Sequence, residues 1–382
     1  MGSPRRVLDR RSVWWTSAIV VPLVAAAAIV VPIAASGAVD LPDKSVKELI
    51  EFAGASEVDA LSGTIEQTSE LGLPDLGTLT GSRDGSEGGP DDGSSPADLD
   101  DLISLATGSH TAKVYLDGES ARLQVLDQLG ERNVYVDGAA EEIWYVDSET
   151  QTATKLNLPA GAPKDRSDPD DTLPTPDEVL DQALARLDET TDVTVGTDSR
   201  VAGRDVYELI LEPRTPDTLV GDVRVAIDGE NGVALAASVT ARGASAPAFE
   251  VAFTQVDFSA PDSAVFAFEP GTDMAVTEKD VALPGGQHDH DGKKTDAAAA
   301  VIIGEGWSAV AELPGAAETG EQGAFAGLDA EQLAMLESIT TAVDGGRAVQ
   351  TALMSVLFTD DGRVLVGAVP ASRLVEAAQT GR

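Results

Sequence analysis

Short runs in which apolar and polar residues alternate, each ended by a turn sequence, dominate the chain from residue 110 to residue 268. In the first run Val114 and Leu116 alternate with Lys113 and Tyr115, and the hairpin signal Asp117-Gly118 follows at once. An alternation with period two turns one side of a strand towards a core and the other side towards water. The pattern therefore predicts an antiparallel meander of many short strands.

The predicted strands share this period and are bounded by Gly, Pro, Asn or Asp. They are 61–66, 112–117, 121–125, 133–136, 143–146, 152–158, 206–212, 223–228, 233–241, 249–253, 265–268, 306–313, 351–358 and 364–369. Helical periodicity is confined to a few segments, namely 43–53, 97–106, 177–189, 329–343 and 371–379. Ser45 is the predicted amino-terminal cap of the first helix.

This order of elements predicts an α+β protein that is mainly β, in which a large antiparallel sheet is covered by a few helices. One face of such a sheet has to be hidden from water. A second sheet can fill that face and give a sandwich, or the sheet can curl around helices and leave an apolar hollow. Periodicity alone is compatible with both arrangements.

The amino terminus has the features of an export segment. Arg5, Arg6, Arg10 and Arg11 precede an uncharged run whose apolar centre extends from residue 18 to residue 35. The positive flank stays in the cytoplasm, so the rest of the chain is expected outside it, in the cell envelope or secreted. The small residues at 36–38 match a signal-peptidase site, whereas the length of the run suits a retained membrane anchor, and both alternatives remain open.

Composition narrows the classes of function. Lys and Arg number 26 against 65 Asp and Glu, which gives a formal net charge of −39 and disfavours nucleic acid as a partner. The chain has no cysteine, which excludes thiol catalysis, disulfides and cysteine-based metal sites.

No motif nominates a catalytic group, a metal site or a cofactor. Gly304, Gly306 and Ala309 match the spacing of a dinucleotide fingerprint, but Pro314 would end the required helix almost at once. His288 and His290 lie in a polar stretch that is typical of a solvated linker rather than of a preformed metal site. The sequence therefore predicts a protein that is not an enzyme and that needs no cofactor, with a secreted enzyme on a β-scaffold as the third and least favoured alternative.

Shifts in composition divide the chain into four parts. Residues 1–38 are the signal peptide or anchor, and residues 39–283 form the main domain, which carries a Gly-, Ser- and Asp-rich insertion predicted to be disordered at 72–96. Residues 284–299 are predicted to be a flexible linker. Residues 300–382 form a carboxyl-terminal β/α extension that we expect to pack on the main sheet, since about 80 residues make a marginal core alone.

The main domain resembles the LolA-like outer-membrane lipoprotein carrier family in its divergent actinobacterial form. The segments that carry the resemblance are LSGTIEQTSELGLP (61–74), GSHTAKVYLDGESARLQVLDQLGERNVYVDGAAEEIWYVDSETQTATKLNLP (108–159), VAGRDVYELILEPR (201–214), VRVAIDGENGVALAASVTARG (223–243), FEVAFTQVDFSAPDSAVFAFEPGTDMAVTE (249–278) and ALMSVLFTDDGRVLVGAV (352–369). The likeness lies in the order of the strands and in their local sequences, and no single motif is diagnostic of the family.

The resemblance implies an unclosed β-barrel, a strongly curved antiparallel sheet whose mouth is closed by helices and whose hollow holds acyl chains of lipids or lipoproteins. The candidate lining residues are the apolar members of the alternating strands. They are Val114, Leu116, Leu123, Val125, Val134, Val136, Ile143, Leu209, Val225, Phe249, Val251 and Phe253. The alternative is an envelope-stress sensor that regulates a sigma/anti-sigma factor pair, because such regulators resemble the same fold; its partner would be a membrane protein.

Overall fold

The structure is a computed structural model that describes residues 39–72, 108–126, 130–138, 142–157, 189–280, 301–313 and 339–380. The predicted signal or anchor at 1–38, the linker at 284–299 and the helix at 97–106 lie outside these residues. So do nearly all of the insertion at 72–96 and of the helices at 177–189 and 329–343.

Most of the described chain is β-structure, in a large curved sheet that is not closed into a barrel and a smaller second sheet. The strands of the large sheet are β1 (Ala60–Ser69), β2 (Thr111–Asp117), β3 (Ser120–Leu126), β4 (Glu131–Asp137), β5 (Glu142–Asp147), β6 (Thr152–Asn157), β7 (Thr191–Val195), β8 (Ser199–Val201), β9 (Arg204–Pro213), β10 (Val220–Asp228), β11 (Ala234–Ala241), β12 (Pro247–Asp257) and β13 (Ala275–Asp280). Their order is β13-β6-β5-β4-β3-β2-β1-β12-β11-β10-β9-β7, with β8 paired to β9. The prediction of a mainly β protein built on an unclosed curved sheet is confirmed.

Neighbouring strands in this sheet are joined by tight turns wherever the sequence carries a turn signal. The β2–β3 hairpin closes on Gly118, whose φ of 57° suits glycine. The turn after β10 is organised by Asp228, whose buried carboxylate accepts hydrogen bonds from the backbone N–H groups of Glu230 (3.0 Å) and Asn231 (2.7 Å) and pairs with Arg204. These local bonds set the antiparallel meander that the pattern predicts.

One pair of strands is parallel and departs from the expected antiparallel sheet. After β12, in the middle of the sheet, residues 258–274 form a strap that leads to β13, which pairs in parallel with β6 at the far edge. Phe268 in the strap stacks on Tyr135, with ring centroids 5.1 Å apart, and lies 5.4 Å from the ring of Trp144. The predicted strand at 265–268 is therefore wrong: the segment holds a 3₁₀ turn, Ser263–Val265, and its apolar side chains face the sheet rather than pair within it.

Helix α1 (Val46–Gly54) begins at the predicted cap. The hydroxyl of Ser45 accepts the N–H of Glu48, while the carboxylate of Glu48 accepts the N–H of Ser45, which completes a capping box. The helix buries Leu49 completely against Tyr207 and Leu209. It thus covers the end of the large sheet formed by β7, β9 and β10.

The carboxyl-terminal part forms a sheet of its own, with β14 (Val301–Ile303), β15 (Val310–Leu313), β16 (Thr341–Val343), β17 (Gly346–Gln350), β18 (Ser355–Thr359) and β19 (Val364–Gly367). Its order is β14-β15-β19-β18-β17-β16, and helix α2 (Ala371–Thr380) packs Leu374 against Leu357 and Leu365 on one of its faces. The predicted strand at 306–313 is shorter than expected, because Gly306–Ser308 form a 3₁₀ turn before β15. No α-helix opens there, so the dinucleotide fingerprint lacks the structure it requires.

Hydrogen bonds join the second sheet to the large sheet at three places. Trp307 Nε1 donates to Thr191 Oγ1 (2.8 Å), the N–H of Ala352 donates to the carbonyl of Leu71 (2.8 Å), and the carbonyl of Ala368 accepts the hydroxyl of Thr218 (2.6 Å). Both threonine side chains are fully buried or nearly so. The contacts lie at strand ends and loops, so the two sheets stay separate hydrogen-bonded layers.

Candidate functional site

The strand register places the candidate residues of the first half of the sheet on one face. Directly opposed residues of antiparallel strands point to the same side. Val114 lies opposite Leu123, Leu123 lies opposite Val134, and Val136 lies opposite Ile143. The period of two places Leu116 and Val125 on this same side of β2 and β3.

The same face continues across β1 into the second half of the sheet. Ile65 lies opposite Ala112 on one side and Phe253 on the other, so the face passes from β2 to β12. Val251 is followed by Ala237, Val225 and Leu209 on successive strands. All twelve sequence-predicted residues therefore share one face of the large sheet, which we call the apolar face.

The side chains of the apolar face become less buried across the sheet, from β9 beneath α1 to β4 and β5. Beneath α1, Leu209 is buried, and in the centre Val114 and Val251 are buried in a cluster with Leu61 and Ile65. On β4 and β5 the apolar residues of this face are only half-buried; they are Val134, Val136 and Ile143. Of the two α-helices in the described residues, α1 contacts β7 and β9 and α2 contacts the second sheet, so neither covers this half-buried end.

A glycine in β1 lets an aromatic ring lie flat against the apolar face. A Cβ built on Gly63 would come within 2.6 Å of two ring carbons of Phe253 and of the carbonyl oxygen of Gln255. The β1–β12 register shifts by one residue directly after this point, at Thr64 and Ile65. Such a bulge increases the local twist and bends the strand, so this site contributes to the curvature of the sheet.

Along the strand direction, the two ends of the apolar face carry different kinds of side chain. At the level of Leu61 six successive strands present only apolar side chains, namely Leu61, Leu116, Ala121, Val136, Ile143 and Leu156. Towards the other end β4 and β5 present Arg132 opposite Asp147 at the level of Ile65, and β1 continues with Gln67 and Ser69. We call these the Leu61 end and the Ser69 end.

One hydroxyl at the Ser69 end has no partner among the described residues. Ser69 Oγ is buried, and no hydrogen bond to it is formed within this part of the chain. Its register neighbour is Phe249, whose ring belongs to the apolar cluster. Gln67, one step along the strand, is 3% exposed and donates from Nε2 to the carbonyl of Gly108 (3.1 Å). A buried hydroxyl that makes no hydrogen bond costs about 1–3 kcal/mol, so this position favours a polar group brought from outside.

The opposite face of the sheet carries most of the charge. Arg122 donates from Nε to Asn133 Oδ1 (3.1 Å) and lies over the ring of Tyr135, while Lys155 pairs with Glu142, whose pKa is lowered by this hydrogen bond. Glu250 is only 7% exposed, and burial raises its pKa to about 7. The two faces therefore differ in kind: one is mainly apolar, and the other carries most of the charged side chains.

Sequence reasoning missed the features at the Ser69 end. Period two does place Gln67 and Ser69 on the same side of β1 as Leu61, and this alternation was visible in the sequence. Their burial depends on β2 and β12 lying on both sides of β1, which is a contact between segments about 45 and 180 residues away. Leu156 and Tyr145, which extend the face across β5 and β6, were also not among the predicted lining residues.

The described residues contain no group of three or more side chains suited to hold a metal ion. Among the same residues no helix has the length and apolar character needed to cross a membrane. The histidines at 288 and 290 fall outside this part of the chain.

Comparisons with known proteins give matches among solved structures. No protein-family model and no curated protein matches the sequence. The MucA/MucB complex of Pseudomonas aeruginosa matches at 16% identity over 86% of this chain and 94% of that chain, with a TM-score of 0.39. A LolA superfamily protein from Nitrosomonas europaea matches at 9% identity over 59% of this chain and 99% of that chain, with a TM-score of 0.22.

This chain is similar to LolA superfamily proteins. A protein of the DUF1329 family from Desulfovibrio piger matches as well, at 11% identity over 57% of this chain and 94% of that chain, with a TM-score of 0.21. The resemblance drawn from the sequence is thus confirmed as a likeness. Because the TM-scores are below 0.5, these likenesses carry no weight for the geometry of the site. They include both a LolA superfamily protein and MucB.

Proposed function

We propose that this chain is an exported envelope protein that binds acyl chains of lipids or lipoproteins on the apolar face, without catalysing a reaction. The observation that carries the proposal is the register: twelve aliphatic or aromatic side chains on seven strands share one face. The described helices cover only the β7–β10 end of that face. An acyl chain laid on the half-buried end would gain about 0.8 kcal/mol for each methylene it removes from water.

A pair of substitutions in one strand tests the proposal. Leu116 is half-buried on the apolar face, while Lys113 is exposed on the opposite face of β2. Leu116→Gln places an amide where hydrocarbon should lie, at a cost of about 1–3 kcal/mol, so we expect roughly tenfold weaker uptake of a fluorescent acyl probe. Lys113→Gln introduces the same amide on the other face and should leave uptake unchanged.

The natural ligand is sought by mass spectrometry of lipids extracted from the protein after purification from its own envelope. Bound acyl lipids and a selective loss in Leu116→Gln are the expected results. A protein that is purified empty and takes up no acyl probe would contradict the proposal. Thermal unfolding of each variant, measured alongside, separates a loss of binding from a loss of folding.

The second candidate is an envelope sensor that acts on a sigma/anti-sigma factor pair through protein contacts. One observation favours a protein partner: Val301 and Ile302 in β14 are 58% and 62% exposed, and in the described residues β14 is an edge strand of the second sheet. Exposed aliphatic side chains on a sheet edge mark sites of contact with another chain. A co-purified transmembrane anti-sigma factor distinguishes this function, since bound lipid is compatible with both.

A further inference from the structure

The apolar face has a direction, and that direction limits how an amphiphilic ligand can lie on it. At the Leu61 end the six strands from β1 to β6 present only aliphatic side chains. At the Ser69 end β1 presents an amide and a hydroxyl, while β4 and β5 present Arg132 and Asp147 nearer the centre, at the level of Ile65. A strand rises about 3.4 Å per residue, so roughly 27 Å separates the levels of Leu61 and Ser69. One leaflet of a bilayer spans about 15 Å of hydrocarbon, so this length exceeds that of an acyl chain.

The polar group of such a ligand has a ready hydrogen-bonding partner. Ser69 Oγ is buried and makes no hydrogen bond to any residue that the structure describes, and its register neighbour Phe249 belongs to the apolar cluster. A hydroxyl in this setting can donate one hydrogen bond and accept others. It is therefore suited to an uncharged oxygen acceptor that arrives together with hydrocarbon.

Charge decides between the common polar groups of acyl compounds. The chain has a formal net charge of −39, and Arg132, the cation that β4 presents on this face, lies opposite the acidic Asp147. A free carboxylate would be repelled by this net charge, whereas an ester carbonyl is neutral and accepts a hydrogen bond.

Resting on the proposed function, we propose that the apolar face binds an ester-linked acyl chain with the ester carbonyl at Ser69 Oγ and the hydrocarbon directed towards the Leu61 end. The ligand class is thus an acyl ester, as in a glycerolipid or the acyl group of a lipoprotein, rather than a free fatty acid. The loop at 351–354 of the second sheet meets this end, because the N–H of Ala352 donates to the carbonyl of Leu71. The polar end of the ligand therefore lies beside the second sheet.

The test compares Ser69→Ala with Ser62→Ala in the full chain after removal of lipid. Both serines lie in β1, but Ser62 is opposite Tyr115 and so belongs to the other face. Three probes with the same fluorescent hydrocarbon are used: a methyl ester, the free acid and an alkane without a polar group. The parent protein should bind the ester more tightly than the free acid.

Ser69→Ala should weaken binding of the ester by roughly fivefold, the effect of one hydrogen bond, and should leave binding of the alkane unchanged. It should not lower the thermal stability of the lipid-free protein, since it removes a hydroxyl that has no partner there. If Ser69 had only a structural role, the substitution would lower thermal stability and leave ester binding unchanged. Ser62→Ala should change none of these values. Equal ester affinity in Ser69→Ala and the parent protein would overturn this inference but not the proposed function. The same holds if Ser69→Ala weakens binding of the alkane as much as binding of the ester. Failure of every probe to bind would overturn the proposed function and this inference with it.

Discussion

At the scale of single residues, burial decides the behaviour of the charged groups in the sheet. Asp228 and Glu250 are both buried carboxylates, at 0% and 7% exposure. Burial acts to raise the pKa of Asp228, but Arg204 and two backbone N–H groups outweigh it, and its pKa is lowered. Burial of Glu250 is not offset in this way, and its pKa is raised to about 7. A buried carboxylate thus stabilises the fold at Asp228, where hydrogen bonds offset its burial, and destabilises it at Glu250, where they do not.

The pKa of Glu250 predicts how stability depends on pH. Between 4.5, its ordinary value, and about 7 the folded chain keeps the proton and the unfolded chain has lost it. The contribution of Glu250 to stability is therefore fully present below pH 4.5 and is lost as pH rises to about 7. Glu250→Gln should flatten this slope and raise the free energy of unfolding at pH 8 by about 1–2 kcal/mol, less than the full shift because a buried amide also costs free energy.

Denaturant unfolding at a series of pH values measures this effect. The matched control is Glu66→Gln, which lies half-buried on the same face of the neighbouring strand. Glu66→Gln introduces the same amide but keeps the carboxyl of Glu250, so the pH dependence assigned to Glu250 should persist in it. An unchanged slope in Glu250→Gln would show that another group controls stability in this pH range.

At the scale of elements, the strap explains how a meander acquires a parallel strand. The strap at 258–274 crosses from β12, in the middle of the sheet, to β13 beyond β6. Its aromatic residue Phe268 packs between Tyr135 and Trp144 on the face opposite the apolar face. Because the chain returns under the sheet rather than by a hairpin, β13 runs in the same direction as β6. The strap therefore covers one face with the chain itself.

Phe268→Ala should loosen the strap and the strand that it leads to. Loss of the half-buried ring should lower the free energy of unfolding by about 2–3 kcal/mol. It should also speed amide hydrogen exchange in β13 (Ala275–Asp280) more than in β1 (Ala60–Ser69). Phe268→Leu keeps most of the apolar surface and loses the ring contacts, so it should cost about 1 kcal/mol. Uniform exchange across both strands in Phe268→Ala would refute the role of the strap in holding β13.

At the scale of the whole molecule, two sheets are hydrogen-bonded at their ends and present different surfaces. The large sheet presents the apolar face that we propose as the acyl-chain site, and the second sheet presents the exposed edge strand β14. The bond from Ala352 to Leu71 joins the second sheet to the Ser69 end of the large sheet. This arrangement makes both proposed functions physically compatible, since a lipid bound at the Ser69 end would lie next to the sheet that would hold a partner.

The edge strand predicts where a protein partner would bind. The double substitution Val301→Ser with Ile302→Ser removes two exposed aliphatic side chains and should weaken capture of a membrane-anchored anti-sigma partner by tenfold or more, on the order of the apolar area lost. Because both residues are exposed, folding should be unaffected. Val276→Ser, at a 48% exposed residue on the edge of the large sheet, is the matched control and should retain capture. Equal capture by the double variant and the control would place the contact elsewhere.

Local sequence determined the features that depend on neighbours along the chain. The alternation in β2, β3 and β4, the hairpin at Gly118 and the cap of α1 at Ser45 all follow from residues a few positions apart. The twelve predicted lining residues share one face for the same reason, since period two fixes the side of each strand and the short hairpins fix how most strands pair. The fold class and the candidate face were therefore accessible before any coordinates.

Tertiary structure alone decided the features that depend on distant segments. The parallel pairing of β13, the separation of the second sheet, the burial of Glu250 and the unpartnered hydroxyl of Ser69 all arise where strands or loops far apart in sequence meet. The sequence around Ser69 gives no sign that its hydroxyl is buried without a hydrogen bond. Burial and hydrogen bonding depend on which segments lie alongside, and the free energy that selects those segments comes from the whole core rather than from local preference.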